Sequence, residues 1–228
     1  GHWTTLAQVA ADKFGVGVAD IDVQKGDTGK IASGVGTFAS RIAVNAGSSV
    51  HLAATEVREK AIKVAAHMLE AAVEDLDIED GRVVVKGSDL SVGLAEIARA
   101  VQGMPGFSLP GGVEPGLEAT HYFSPSQSCY CNGTAVVEVE VDPATGHVDI
   151  LKYSMAHDSG TLINPFVVDG QVQGAVAQGV GNALLEWMVY DDNANPVSVN
   201  FAEYMLPTAP ETPNVGVVHV ESPSPINP

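Results

Sequence analysis

The sequence predicts an α+β fold: helices packed on antiparallel or mixed sheets, in two small α/β layers. Three observations carry that prediction. Apolar residues recur at helical spacing near the N-terminus and again over residues 42–73, the segments 134–142 and 147–155 alternate with period two across a turn, and a glycine-rich segment of helical character follows. With 228 residues, 45% of them apolar, the chain is long enough to bury one substantial core or two small ones.

Each element has its own signal. Residues 3–14 place Leu6, Val9, Ala10 and Phe14 on one helical face, with Thr4 or Thr5 as N-cap and Gly15 as the stop. Ile21-Asp-Val23 alternates like a strand and runs into the glycine-flanked segment Ser33-Gly-Val-Gly-Thr-Phe-Ala-Ser-Arg41. Over residues 42–73, Val50, Ala54, Val57, Ala61, Ala65, Leu69 and Ala72 make a helix face that is mostly small and lets a neighbour pack close. Residues 76–86 read as a hairpin turning at Asp80-Gly81, and residues 93–101 as a short helix. Residues 103–118 hold eight glycines and prolines, too many for a regular element, and predict a long loop.

The second half begins with a hairpin, residues 134–142 and 147–155, around Pro143-Ala-Thr-Gly146. A helix of small residues is predicted from Asp169-Gly170-Gln171 to Leu185. Gly174, Gly179 and Gly181 each cost it about 1 kcal/mol against alanine, so packing or a ligand must compensate. Strands at 187–190, 197–201 and 215–220 complete the pattern. By organisation the chain divides into a helix-rich part (1–102), a Gly/Pro loop (103–126) and a hairpin-plus-helix part (127–228).

Eleven basic against 28 acidic side chains give a net charge of −17, which repels phosphate backbones and anionic headgroups. Nucleic acid and membrane are therefore not expected partners, and no run of about twenty apolar residues is present. The two cysteines, Cys129 and Cys131, are too close to close a useful loop and read as ordinary strand residues of a protein in a reducing compartment.

The chemistry concentrates at two helix starts. The loop Gly34-Val-Gly-Thr-Phe-Ala-Ser40 enters a helix N-terminus, where unpaired N–H groups favour an anion such as phosphate; an ordinary cap fits the same pattern. Asp169-Gly170-Gln171 is a second such start, with Gln171 offering both a donor and an acceptor, or else it is a plain cap. Asn164-Pro165 upstream reads as an Asx turn placing that helix. His157 and Asp158 are adjacent on a strand and face opposite ways, so they serve the scaffold better than acid–base chemistry. His121, Tyr122 and Phe123 read as core or as pocket lining.

Taken in order, Gly1-His-x-Thr, Gly36-Thr-Phe-Ala-Ser-Arg41, Val136-Val-Glu-Val-Glu-Val-Asp-Pro143, His157-Asp-Ser-Gly-Thr-x-Ile-Asn-Pro165, Asp169-Gly-Gln-Val-x-Gly174 and Glu221-Ser-Pro-Ser-Pro-x-Asn-Pro228 resemble the molybdenum-binding large subunit of the xanthine dehydrogenase and aldehyde oxidase family, aerobic carbon monoxide dehydrogenases included. The resemblance implies the second of two molybdopterin-binding domains, lining a cofactor cleft in an enzyme that hydroxylates a carbon with oxygen from water. It implies molybdopterin in its cytosine dinucleotide form with molybdenum, and electrons leaving through iron–sulfur and FAD partners in a cytoplasmic hetero-oligomer. Thr37, Phe38, Ala39, Ser40 and Arg41 match the loop that holds the cofactor. Gln171 matches a glutamine that hydrogen-bonds an oxygen ligand of molybdenum without itself ligating the metal.

Two family features fall at the ends. The glutamine of a Gly-Gln-Gly segment would lie just before Gly1, and the glutamate that serves as catalytic base would lie just beyond Pro228. The expectation is a part of a larger machine with no catalytic residue of its own and no turnover alone. A non-catalytic assembly domain that keeps the family fold is the rival, and a dinucleotide-binding domain resting on the glycine loop is a distant third.

Overall fold

A computed structural model describes residues 1–32, 34, 36–103 and 108–228. Ser33 and Val35 of the glycine loop, and Pro105 and Gly106 of the predicted long loop, lie outside the described residues. The chain forms two compact units, Gly1–Cys129 with Pro225–Pro228, and Tyr130–Ser224.

In the first unit α1 (His2–Phe14) buries Ala7 and Ala11 and stops at Gly15, which is left-handed at φ 58°. Thr5 is no cap: it sits inside the helix and its hydroxyl donates back to the Gly1 and His2 carbonyls. The predicted strand at 21–23 has no partner strand among the described residues and stays irregular. The long helix is α2 (Ser48–Leu69), shorter at both ends than its periodicity suggested because one π-turn, Ala43–Gly47, precedes it and Glu70 turns left-handed after it. Of its buried residues, Ala61, Ile62, Val64 and Ala65 pack on a three-stranded antiparallel sheet of β1 (Leu76–Glu79), β2 (Arg82–Val85) and β3 (Ser91–Gly93). Ile97 and Val101, from α3 (Leu94–Ala100) and its end, close the core.

Asp80 (φ 46°) and Gly81 (φ 69°) are both left-handed, the backbone that a two-residue hairpin turn between twisted strands requires. β3 went unread because a three-residue strand with one buried side chain, Val92, carries almost no periodic signal.

The second unit is a sheet in the order β4–β5–β6: β4 (Asn132–Val141) antiparallel to β5 (Val148–Asp158), and β5 parallel to β6 (Val215–Val220). Parallel neighbours need a crossover, and α4 (Pro165–Leu184) supplies it, burying Val172, Val176 and Val180. An apolar groove of about 440 Å³ runs between α4 and the sheet, lined by Val137, Val139, Ile150, Met155, Val176 and Val180 among others.

The predicted strands at 187–190 and 197–201 do not form; a single bridge, Tyr190 to Pro196, remains. Ser198 is the reason. Its buried hydroxyl donates to the Trp187 carbonyl (2.7 Å) and accepts the Val189 amide (3.1 Å), taking backbone groups that a ladder would have paired. Among the described residues no helix is long and apolar enough to cross a membrane.

Candidate functional site

The first candidate segment lies in the first unit. Thr37, Phe38, Ala39 and Ser40 are exposed and Arg41 is half-buried. Ala39 (φ 56°) and Ser40 (φ 49°) are consecutive left-handed residues without being glycine, a conformation that costs roughly 1–2 kcal/mol each. Such strain persists where surroundings or function fix it. The Arg41 guanidinium lies 4.3 Å from the centre of the Phe38 ring, joining the two ends of the tight turn.

Helical structure then starts at Ile42 and passes at once through the π-turn Ala43–Gly47, a feature found frequently at functional sites. The first helical hydrogen bond to the loop runs from the Asn45 amide to the Arg41 carbonyl (2.9 Å). Among the described residues the amides of residues 37–41 donate no hydrogen bond within the chain.

Gln171 belongs to the second unit, and its setting differs from the sequence expectation. α4 begins at Pro165, with Asn164 as N-cap accepting the Val167 amide at 3.1 Å. The Asx turn at Asn164-Pro165 is thus the helix start, and Asp169-Gly170-Gln171 is no helix N-terminus. Gln171 sits at the end of the second turn, exposed, with no hydrogen bond to its amide among the described residues. A Cβ placed on Gly170, Gly174 or Gly179 would meet nothing within 4 Å, whereas one on Gly181 would strike Glu186 Oε1 at 2.6 Å and Pro207 Cδ at 2.7 Å. Gly181 is therefore explained by packing, Gly179 lines the apolar groove between α4 and the sheet, and Gly170 and Gly174 leave open space on the side of Gln171.

His157 and Asp158 point to opposite faces, as strand geometry requires. Asp158 accepts the Gly160 amide (3.0 Å) and the Ser222 amide (3.1 Å). The Ser222 hydroxyl, then these amides, hold its carboxyl below the usual aspartate range. His157 is paired across strands with His219, ring centroids 5.9 Å apart and nearly perpendicular. His219 Nε2 meets Asp169 Oδ1 at 2.7 Å. Sequence reading missed His219, although the alternation of residues 215–220 already set it on the inward side with Val215 and Val217.

In the first unit His121 Nε2 lies 2.5 Å from Glu56 Oε2, and the Phe123 amide donates to Ser49 Oγ (2.9 Å), pinning this segment on α2. Tyr122 between them is 74% exposed and is not core.

In the first unit a run of unused amides in the strained loop supplies donors for acceptor oxygens and nitrogens, and in the second Gly170 and Gly174 beside Gln171 permit close backbone approach. A family model described as "Molybdopterin cofactor-binding domain" matches residues 1–213. The chain belongs to the molybdopterin cofactor-binding domain family.

Its relatives place that domain within the xanthine dehydrogenase and aldehyde oxidase group of molybdenum oxidoreductases, as the motif order implied. The nicotine 6-hydroxylase large subunit of Paenarthrobacter nicotinovorans is 43% identical over 98% of this chain and 28% of its own length. Among solved structures, quinoline 2-oxidoreductase from Pseudomonas putida 86 matches with a TM-score of 0.90 and 40% identity, over 100% of this chain and 29% of that one. The Cu,Mo-CO dehydrogenase matches at 0.88 and 34%, over 99% and 28%. The chain thus spans under a third of the length of these relatives.

Proposed function

We propose that this chain is the second molybdopterin-binding domain of a molybdenum hydroxylase large subunit, cradling the cofactor from two sides of its sequence. The observation that carries the reading is the unused set of amides in the strained loop 37–41 of the first unit; in the second, Gln171 is exposed and its side chain makes no hydrogen bond among the described residues, beside the open Gly170 and Gly174. Packing alone asks for neither.

In this reading the amides of Phe38, Ala39, Ser40 and Arg41 donate to the pyranopterin and its phosphate, Thr37 adds a hydroxyl, and Arg41 places a cation beside the anionic end. Gln171 offers its side-chain amide at the metal end, orienting the centre without ligating it. When bound, molybdopterin with molybdenum, in its cytosine dinucleotide form, supplies the two-electron oxidation of carbon with oxygen from water. Iron–sulfur and FAD partners carry the electrons away in a cytoplasmic hetero-oligomer. The two cysteines in 228 residues are in keeping with a reducing compartment. No residue of this chain is assigned the part of catalytic base, and the complete complex is the unit expected to turn over.

For substrate, the reading favours an aromatic N-heterocycle, the class shared by nicotine and quinoline, after which relatives 43% and 40% identical are named. The complete complex containing this sequence should hold near-stoichiometric molybdenum, release a cytosine nucleotide on acid hydrolysis, and oxidise such heterocycles in preference to carbon monoxide. Gln171→Ala should lower its turnover by about tenfold or more with assembly intact. Absence of metal from the intact complex, after growth with ample molybdate, would overturn the reading in favour of a non-catalytic assembly domain.

A further inference from the structure

α4 carries two polar tethers, placed two residues before and two residues after Gln171. Asp169 Oδ1 meets His219 Nε2 at 2.7 Å on β6, and Gln173 Nε2 donates to the Pro213 carbonyl at 2.9 Å on the approach to β6. At about 100° per residue, each tether lies about 200° around the helix from Gln171. Drawing Asp169 and Gln173 toward β6 therefore turns Gln171 away from it. Val172, Val176 and Val180 bury the same inward side, while Gln171, Gly174 and Gln178 are exposed on the other.

The valine stripe resists separation of helix and sheet but resists rotation weakly, because apolar contact is non-directional. A hydrogen bond has a direction and fixes roll. The cost of this arrangement is visible: Nδ1 of both His219 and its cross-strand neighbour His157 is buried without a hydrogen-bond partner among the described residues. Apolar side chains at these two positions would avoid that penalty, so stability alone does not account for the imidazoles.

We infer that Asp169 and His219 are positioning residues, a directional clamp that sets the roll of α4 and so aims the Gln171 amide. This rests on the role proposed above for Gln171. The clamp touches neither substrate nor cofactor; it acts through Gln171.

The test uses the complete enzyme complex with Asp169→Ala, His219→Leu, His219→Gln and, in parallel, Gln171→Ala. Readouts are deuterium uptake over residues 165–175, molybdenum per complex, and kcat and KM. Asp169→Ala and His219→Leu should raise uptake in that segment and lower kcat by about tenfold, with KM little changed. His219→Gln keeps an amide donor for Asp169 and should recover most of both. Gln171→Ala should lower kcat while uptake stays at the wild-type level.

A silent Gln171→Ala removes the role assigned to Gln171 and the clamp's purpose with it, whatever the uptake. A Gln171→Ala variant with lowered kcat, alongside wild-type kcat in Asp169→Ala and His219→Leu, overturns the clamp alone, even if uptake rises. So does a His219→Gln variant as impaired as His219→Leu. Should His219→Leu fail to assemble, Asp169→Ala decides, since its side chain is already 55% exposed.

Discussion

The guanidinium of Arg41 lies 4.3 Å over the Phe38 ring, across the two left-handed residues Ala39 and Ser40. That contact closes the loop on itself and holds the amides between its ends in one arrangement. An exposed cation–π pair stabilises by about 0.5–1 kcal/mol. Arg41→Ala in the complete complex should therefore weaken cofactor retention by about two- to fivefold, read as molybdenum remaining after prolonged dialysis. Arg41→Lys keeps the charge but loses the flat stacking surface and should fall between. Wild-type retention in Arg41→Ala would show that the loop holds its shape without this contact.

Asn164 sets where α4 begins, through the bond from the Val167 amide to its side-chain oxygen. Asn164→Ala should destabilise the first turn by about 1 kcal/mol, and Asn164→Asp should be nearly neutral. Deuterium uptake over residues 165–168 in the complete complex reports this directly. The expected rise in opening for the alanine variant is about fivefold. An alanine variant that exchanges like the wild type would mean that Pro165 and packing alone start the helix.

Much of this was legible in the sequence, for identifiable reasons. Asp80-Gly81 turns where it was expected because few residue pairs accept two successive left-handed conformations. The hairpin of β4 and β5 announces itself by the alternation Val137-Glu-Val-Glu-Val141 just before the turn Pro143-Ala-Thr-Gly146. The start of α4 lies six residues before Gln171, where it was expected, because its first turn, Pro-Phe-Val-Val, is apolar without period, while Asp169-Gly170 looks like a cap. The failed strands at 187–190 and 197–201 have good strand composition, and nothing local reveals that Ser198 will intercept their backbone partners. In the proposed site, the 37–41 loop and Gln171 stand out by residue type alone. The tether between Asp169 and His219, fifty residues apart, depends on parallel pairing that no local pattern encodes.

The glycines of α4 are predicted to behave oppositely. At Gly181 a methyl group would sit 2.6 Å from Glu186 Oε1 and 2.7 Å from Pro207 Cδ, so Gly181→Ala should destabilise by about 1–3 kcal/mol. At Gly174 nothing lies within 4 Å, and Gly174→Ala should stabilise the helix by up to about 1 kcal/mol. If the open face receives the cofactor, the same substitution should lower molybdenum content. Thermal unfolding and metal analysis on each variant complex separate the two effects. Gly174→Ala with full metal content would show that this face is not in contact with the cofactor.

Asp158 makes the end of β5 sensitive to acid. The Ser222 hydroxyl, the Gly160 amide and the Ser222 amide all donate to its ionised carboxylate, which lowers its folded-state pKa below the unfolded value of about 3.9. A depressed acid stabilises fully above the unfolded value, and its contribution is lost as pH falls toward the folded one. Deuterium uptake over residues 158–160 and 220–222, corrected for intrinsic exchange, should therefore rise as pH drops below about 3.9 in the complete complex. Asp158→Asn carries no charge to lose: its uptake should be higher at neutral pH and should lack this added rise. Since the other carboxylates titrate alike in both proteins, the difference between them isolates Asp158. Parallel curves would mean that the parallel pairing of β5 with β6, and not the carboxylate, holds Ser222 in place.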